Sequence, residues 1–158
     1  MIRAPRGFTL IELVITAAIL GVLALAVLPT AETVARRAKE SELRSDLREI
    51  RGALDAYKKA WDEGRVPKAV GQSGYPPTLE VLVQGVVDPK SQKGARIYFL
   101  RRLPRDPFHP DATVPAAATW GKRSYASPPD FPAEGEDVFD VYSLAAGNGL
   151  NGVPYRDW

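Results

Sequence analysis

The chain of 158 residues contains no cysteine, a single histidine and a single methionine. Without cysteine it can form no disulfide, no thiolate nucleophile and no cysteine metal site. Opposite charges nearly balance, with 21 Lys and Arg residues against 19 Asp and Glu residues, so no general attraction to nucleic acid is expected. No nucleophile is accompanied by a visible base, which argues against an enzyme. The length suits one domain.

One long apolar run stands out in this otherwise polar sequence. Residues 8–28 contain a single ionisable side chain, Glu12. As a helix rising about 1.5 Å per residue, the run would span ~30 Å, the thickness of a bilayer core. Arg3 and Arg6 precede it and no acidic residue does, so the positive-inside rule places the N-terminus in the cytoplasm. We therefore predict a single transmembrane helix, with the rest of the chain outside the cytoplasm.

Glu12 distinguishes three interpretations of this run. A secretory signal peptide usually has a shorter apolar region that is followed by its cleavage site. A plain anchor helix has no reason to contain an acid, because an unpaired carboxylate in hydrocarbon costs a few kcal/mol. The third interpretation is a membrane helix in which Glu12 has a function. If Glu12 has no function, its side chain would instead have to reach the charged membrane interface.

Residues 6–12 read Arg-Gly-Phe-Thr-Leu-Ile-Glu. With the basic leader and the apolar run, they resemble the processing site of type IV pilins and type II secretion pseudopilins. The resemblance implies that a prepilin peptidase cuts after Gly7, on the cytoplasmic side, and that Phe8 becomes an N-methylated amino terminus. Residues 1–7 would then be a leader peptide. Pro29 matches the position at which many of these proteins carry a helix-kinking proline.

The same resemblance suggests a physical role for Glu12 in assembly. Subunits of a helical filament are staggered, so the Glu12 carboxylate of one subunit can meet the Phe8 ammonium of its neighbour. Each charge is costly in apolar surroundings, and pairing offsets most of that cost. A misaligned subunit would leave both charges unpaired. We therefore expect Glu12 to set the register of assembly.

Beyond the apolar run, residues 29–61 read as an amphipathic continuation of the helix. Apolar side chains recur at intervals of three and four residues. They are Leu43, Leu47, Ile50, Leu54, Tyr57 and Trp61. This stripe predicts the helical half of a core, and Gly64 predicts the end of the helix. The charged faces, including a pair between Glu40 and Arg44 four residues apart, are expected to be solvated or to contact other subunits.

Residues 62–158 are rich in glycine and proline and are expected to form a globular head. A short helix is predicted over residues 75–83, with Thr78 as a possible cap and Leu79, Leu82 and Val83 on its apolar side. Residues 120–125 and 138–144 predict antiparallel strands, and a third strand is expected around residues 97–100. The segments at 75–82 and 100–108 resemble those of major pseudopilins. The expected fold is α+β and type IV pilin-like.

The C-terminal segment 145–158 resembles the loop that commonly binds calcium in major pseudopilins. Calcium prefers six to eight oxygen ligands. The side-chain oxygens available here belong to Asn148, Asn151 and Asp157, while Gly147 stands where the family usually has an aspartate. A single carboxylate makes a weak site. The alternative is an Asn/Gly loop that needs no metal, and we expect no required cofactor.

Two other motifs carry little weight. Residues 147–152 match G-x-G-x-x-G, but a dinucleotide fingerprint must open a helix and Pro154 follows here. Asp106, His109 and Asp111 could ligate a metal, although a single histidine in a proline-rich loop is more often simply exposed.

The sequence therefore favours a structural protein, a subunit of a type II secretion pseudopilus that helps to drive export across the outer membrane. The resemblance implies identical subunits, a prepilin peptidase/N-methyltransferase, an inner-membrane assembly platform and minor pseudopilins as partners. It implies an inner-membrane precursor with a periplasmic head. A subunit of a type IV surface pilus is the alternative in the same class, although such pilins commonly carry a disulfide. A membrane-anchored enzyme or binding module is the alternative outside it.

Overall fold

The computed structural model describes residues 7–158, except for the side chains of residues 25–31. Its dominant element is helix α1, Leu10–Asp62. The helix ends as predicted at Gly64, whose φ of 71° lies in the left-handed region that favours glycine. The Arg65 N–H donates to the Ala60 carbonyl at 2.8 Å. This bond satisfies one of the carbonyls that a helix end would otherwise leave unpaired.

The chain divides into two compact units, residues 1–38 and residues 39–158. In the first unit, the described side chains of α1 are exposed. The large apolar ones are Leu10, Ile11, Leu13, Val14, Ile15, Ile19, Leu20, Val22 and Leu23. Among the residues with described structure, no helix is long and apolar enough to cross a membrane. Residues 1–6 of the predicted leader lie outside the described part of the chain. Helix α1 continues through Pro29 without a break in its assignment, and the kink predicted there stays a prediction.

The core of the second unit is built on the predicted stripe of α1. Leu43, Leu47, Ile50 and Leu54 are each at most 2 % exposed. Tyr57 is also buried, and Trp61 packs at the edge of the core. The partners come from later parts of the chain. They include Leu79, Leu82, Leu100, Trp120, Val138 and Val141. The amphipathic pattern is therefore confirmed as the helical half of the core.

The short helix α2 runs over Glu80–Gln84, later than predicted. Leu79 occupies its N-cap position, and no side chain caps the helix there. The prediction that Thr78 is the cap is therefore wrong. Leu79 already has helical dihedral angles, and its side chain is buried in the core. Leu82 is buried as expected, and Val83 is partly buried.

The strands form two separate antiparallel pairs. Strand β1, Val86–Val87, pairs with β2, Arg96–Ile97. Strand β3, Trp120–Arg123, pairs with β4, Asp140–Ser143, with Trp120 opposite Ser143. Both longer strands are shorter than predicted. Two single turns of 3-10 helix, Ala116–Thr119 and Tyr155–Asp157, complete the described elements.

The expectation of a third strand beside β3 and β4 is wrong. Ile97 does lie in a strand, but it pairs with Val86. The N–H groups of Phe99 and Leu100 both donate to the Leu82 carbonyl, at 3.0 Å each. The Leu82 carbonyl in α2 thus accepts from the two N–H groups that a third strand would have used to pair with its neighbour.

Candidate processing and assembly site

Gly7 and Phe8 lie in a segment without regular secondary structure immediately before α1. A Cβ atom added to Gly7 would meet no other atom within 4 Å. Phe8 is 84 % exposed. The fold of the described residues therefore does not require glycine at position 7. Any requirement for it must come from a partner that binds this segment.

Thr9 and Glu12 form a capping box at the start of α1. The Thr9 hydroxyl accepts from the Glu12 N–H, and the Glu12 carboxylate accepts from the Thr9 N–H, both at 3.3 Å. The Thr9 hydroxyl also lies 3.3 Å from the same carboxylate oxygen. This reciprocal pattern satisfies donors that a helix N-terminus leaves unpaired, and the macrodipole favours an acid there. The signal for this cap in the sequence is the Thr-x-x-Glu spacing of residues 9–12.

The capping box gives Glu12 a partner in the single chain. Its bonds are long and its side chain is exposed, so they hold the carboxylate weakly. Glu12 is also the only acidic residue in the first turn of α1. A cation brought to this position from another molecule could therefore replace the capping contact at low cost.

The C-terminal loop holds the three predicted calcium ligands in separate local contacts. The Asn151 side-chain oxygen accepts from the Val153 N–H at 3.1 Å, and Asp157 lies 3.4 Å from the Arg156 Nε atom. Asn148 pairs with Pro154 in an isolated β-bridge. No group of three or more acidic or histidine side chains able to hold a metal occurs in the described part of the chain. With one carboxylate beside an arginine, the donor set fits calcium poorly.

Glu40 anchors this same loop to α1. Its side chain is buried, and its Oε1 atom accepts from the Leu150 N–H at 2.8 Å and from the Tyr155 hydroxyl at 3.0 Å. The prediction that Glu40 is a solvated partner of Arg44 is therefore wrong. The signal in the sequence was its position three residues before Leu43, in phase with the apolar stripe.

Arg51 provides a second anchor between α1 and the end of the chain. Its Nε atom donates to Asp140 Oδ1 at 2.8 Å. Its NH2 group donates to the main-chain oxygens of Val141 at 3.0 Å and Trp158 at 2.7 Å. One guanidinium thus ties strand β4 and the C-terminal residue to the helix. Only the planar fork of an arginine can reach three acceptors in this way.

Asp106 is bonded within the fold, and among the described residues it forms no group of three metal-binding side chains with His109 and Asp111. It is buried, and its carboxylate accepts from the Phe108 N–H at 2.8 Å and the Ser143 hydroxyl at 2.5 Å. Asp111 binds Thr113, while His109 contacts the Asp111 main chain. The G-x-G-x-x-G stretch forms turns and the isolated β-bridge, and it opens no α-helix.

Asp46 is the titratable group with the clearest perturbation. Burial raises its pKa to about 6, and the nearby carboxylates of Glu42, Glu49 and Asp106 act in the same direction. The Arg102 guanidinium opposes them. Acidic side chains on one side of α1 therefore repel one another at neutral pH.

Comparison with known proteins is consistent with the geometry of the N-terminal segment. The family model of the prokaryotic N-terminal methylation motif matches residues 2–28. The type II secretion system core protein G of Klebsiella pneumoniae is 33 % identical over 86 % of this chain and 94 % of its own length. The proteins of that name from Dickeya chrysanthemi and Pseudomonas aeruginosa are 31 % and 32 % identical, over 97 % and 85 % of their own lengths. No solved structure matches.

Identity at this level extends well beyond the methylation motif. The alignment with the Dickeya chrysanthemi protein spans 96 % of this chain, so it includes both the apolar helix and the head. The chain therefore belongs to the family of the type II secretion system core protein G, the major pseudopilins.

Proposed function

We propose that this protein is the structural subunit of a type II secretion pseudopilus, a filament that helps to drive protein export across the outer membrane. The observation that carries this proposal is the exposed apolar segment at the start of α1, which follows the exposed residues Gly7 and Phe8 and has one acid, Glu12, in its first turn. Such a surface has to be covered by lipid or by other copies of itself. The names of its relatives support the choice of a pseudopilus over a surface pilus.

Maturation would begin with the leader. Residues 8–28 would hold the precursor in the inner membrane, with its N-terminus in the cytoplasm and the head in the periplasm. A prepilin peptidase would hydrolyse the Gly7–Phe8 bond, and an N-methyltransferase would methylate the new amino group. The open space around Gly7 leaves the bond accessible, and the missing side chain lets the backbone enter a narrow protease site.

Assembly would then exchange one partner of Glu12 for another. Before assembly its carboxylate accepts from Thr9, at 3.3 Å. In the filament it would pair with the Phe8 ammonium of a neighbouring subunit. A charged pair in apolar surroundings is far stronger than a long hydrogen bond at an exposed helix end. This difference would favour the assembled register over any register in which both charges stay unpaired.

We further propose that the C-terminal loop folds without calcium. Glu40, Arg51 and the internal bonds of the loop already fix its main chain. Examples are the bonds from Gly149 N–H to the Val153 carbonyl at 2.8 Å and from Tyr155 N–H to the Gly147 carbonyl at 3.2 Å. A metal is not needed to hold this conformation.

The proposed function is tested by expressing the native chain with an inner-membrane assembly platform, minor pseudopilins and the peptidase. The expected mature protein begins at N-methylated Phe8, as determined by N-terminal mass analysis, and electron microscopy shows filaments. A mature chain that starts beyond residue 28, or a correctly cut chain that never assembles, would contradict the proposal.

A further inference from the structure

Three aromatic side chains of the head form a cluster that is partly open to solvent. The rings of Tyr75 and Tyr125 are stacked, with their centroids 5.8 Å apart and their planes at 23°. The Phe139 ring meets both of them edge-on, at 5.0 Å from Tyr75 and 5.6 Å from Tyr125. We call these three residues the aromatic cluster. Tyr125 is 59 % exposed, so part of this aromatic surface is accessible to another molecule.

A cleft lies against this cluster, between residues 71–77 and residues 124–137. Its volume is about 770 Å³, and clefts that bind ligands usually have volumes of about 300–1,000 Å³. Both Tyr75 and Tyr125 line it. We call it the aromatic cleft, and its size is sufficient for a short segment of another molecule.

Of the described residues, three acidic ones and no basic one line the aromatic cleft. Asp137 is used within the fold, but the other two are not. Glu134 makes only a loose, exposed contact of 3.5 Å with Lys122. Glu136 is exposed and forms no ion pair or side-chain hydrogen bond with any described residue. Two carboxylates of the aromatic cleft are therefore available to bind a cation.

Asp137 fixes the two walls of the aromatic cleft relative to each other. Its Oδ1 atom accepts from the Tyr125 N–H at 2.8 Å, and its Oδ2 atom accepts from the Ser73 hydroxyl of the opposite wall. The Val138 N–H donates to the Pro76 carbonyl at 2.8 Å and joins the same two segments. The cleft is therefore preformed, and a ligand would need little ordering of the protein in order to bind.

The cations close to the aromatic cleft already have contacts within the head. Lys122 lies beside Glu134, and Lys58 of α1 forms an ion pair of 2.5 Å with Asp62. The Arg123 guanidinium lies over one ring of the aromatic cluster, 5.0 Å from its centroid. One guanidinium of the chain thus already uses the aromatic surface, while the exposed ring of Tyr125 and the carboxylate of Glu136 stay open.

An aromatic face beside unpaired carboxylates is suited to a cation. Arginine fits best, because its planar guanidinium can stack on a ring while its fork binds a carboxylate. We propose that the aromatic cleft binds an arginine on an extended segment of another protein, with the guanidinium over Tyr125 and beside Glu134 and Glu136. The proposal goes beyond the proposed function and does not depend on it, because the whole cleft lies within one head.

The expected occupant is a different protein and not a second copy of this chain. The exposed arginines of the described head are held on folded elements. Arg44 and Arg48 lie on α1, and Arg101 directly follows Leu100, which is buried and donates to the Leu82 carbonyl. A side chain held on a folded surface enters a cleft between two loops less readily than one on a free segment.

Fluorescence polarisation with the full chain in a non-ionic detergent tests this site. The probe is a labelled peptide of sequence Gly-Arg-Gly-Arg-Gly. The matched control peptide carries citrulline in place of each arginine, which keeps the shape of the side chain and removes its charge. We expect the arginine peptide to bind, and the citrulline peptide to bind at least about fivefold more weakly.

Substitutions in the cleft separate the contribution of the ring from that of the charges. Tyr125→Leu removes the ring but keeps an apolar side chain, and it should weaken binding of the arginine peptide about fivefold, whereas Tyr125→Phe should stay within about twofold of native. Glu134→Gln with Glu136→Gln should also weaken binding about fivefold. The matched control removes two exposed charges from α1, by Glu42→Gln with Glu49→Gln, and should leave binding unchanged. Circular dichroism checks the fold of each variant, and if Tyr125→Leu does not fold, the Glu134 and Glu136 variant decides.

Several results would overturn the site. They are no binding of the arginine peptide at millimolar concentration, equal binding of the citrulline peptide, and equal weakening in the Glu42 and Glu49 control, which would show a general attraction to negative charge. Binding of the neutral oligosaccharide cellotetraose in place of the peptide would make the cleft a sugar site. A loss of filaments in Tyr125→Leu would make a second copy the occupant. Because binding is measured on unassembled subunits, failure of the native chain to form filaments would contradict the proposed function and leave this site standing.

Discussion

The Tyr155 hydroxyl donates a hydrogen bond of 3.0 Å to the carboxylate of Glu40, across 115 residues of sequence. Both side chains are buried. The same Glu40 oxygen accepts from the Leu150 N–H. A single acid on α1 therefore fixes two points of the C-terminal loop. A buried carboxylate of this kind is tolerated only because its donors are arranged around it.

Removing this carboxylate should destabilise the head. In a soluble fragment that lacks residues 1–32, we expect Glu40→Ala to lower the free energy of unfolding by about 2–3 kcal/mol, because two donors lose a charged acceptor. Tyr155→Phe should cost about 1 kcal/mol. Urea denaturation measures both changes. Glu42→Ala, which removes an exposed acid from the same helix, is the control, and an equal loss in both Glu variants would contradict the anchoring role.

Calcium should contribute little to this stability. If the loop needs no metal, EDTA leaves the melting temperature of the same fragment unchanged. A tightly bound ion would behave differently, since a hundredfold excess over its Kd stabilises by about 2.7 kcal/mol. Thermal melts with EDTA and with added calcium decide between them. A melting temperature that rises with calcium and falls with EDTA would show a site built from Asn148, Asn151 and Asp157.

A substitution at Gly7 that prevents cleavage should not disturb the fold of this chain. Gly7→Val is expected to lower cleavage by at least about tenfold, or about 1.4 kcal/mol in the barrier, because the added side chain hinders entry into the protease site. The described structure has room for it, so the precursor should accumulate at the native level. Mass analysis of the accumulated protein measures the fraction cut. Efficient cleavage of Gly7→Val would place the processing site elsewhere.

Glu12→Ala should insert and be cleaved normally, since removing a charge eases entry into a membrane. Filament assembly should nevertheless fail or fall sharply. The Phe8 ammonium of a neighbour would stay buried without its partner, at a cost of about 3–5 kcal/mol. Glu12→Asp should be intermediate because its reach is shorter. Mass analysis confirms cleavage, and electron microscopy counts filaments.

The capping role of Glu12 needs its own control. Thr9→Val removes the hydroxyl partner of Glu12 and leaves the carboxylate in place. We expect this variant to assemble close to the native level, because loss of an N-cap at an exposed helix end costs only about 1 kcal/mol. If Glu12→Ala also assembles normally, Glu12 has no role in register. If Thr9→Val fails as completely as Glu12→Ala, helix capping explains both.

Asp46 makes the stability of the head depend on pH. Its pKa is raised to about 6, so the folded state binds a proton more tightly than the unfolded state does. The ionised carboxylate therefore destabilises the fold fully above pH 6, and protonation relieves this as the pH falls toward 4. Asp46→Asn should stabilise the fragment by about 1 kcal/mol at pH 7.5, a value reduced by partial solvent screening. The gain should disappear below pH 4. Urea denaturation at both pH values measures it, and an equal gain at both would contradict this origin.

The N-terminal methylation motif could be recognised from the sequence because its signals are local. Gly7, Phe8 and Glu12 fall within six consecutive positions, and the apolar run is continuous. The stripe from Leu43 to Tyr57 was predictable for the same reason, since helical periodicity is fixed by the backbone. The capping contact between Thr9 and Glu12 also has a local signal, because the two residues are three positions apart.

Contacts between distant residues were decided only by tertiary structure. The local sequence suggests that Glu40 is a surface acid. Its side chain is buried because the C-terminal loop, more than a hundred residues later in the chain, packs over it. Ile97 has the composition of a strand residue, yet Leu82 takes the N–H groups that would have extended the longer sheet. The sequence by itself determined which face of the helix is buried, and it carries the N-terminal methylation motif on which the predicted cut after Gly7 rests. The tertiary structure decided which acids lose water and which strands pair, because these depend on partners that no local pattern specifies.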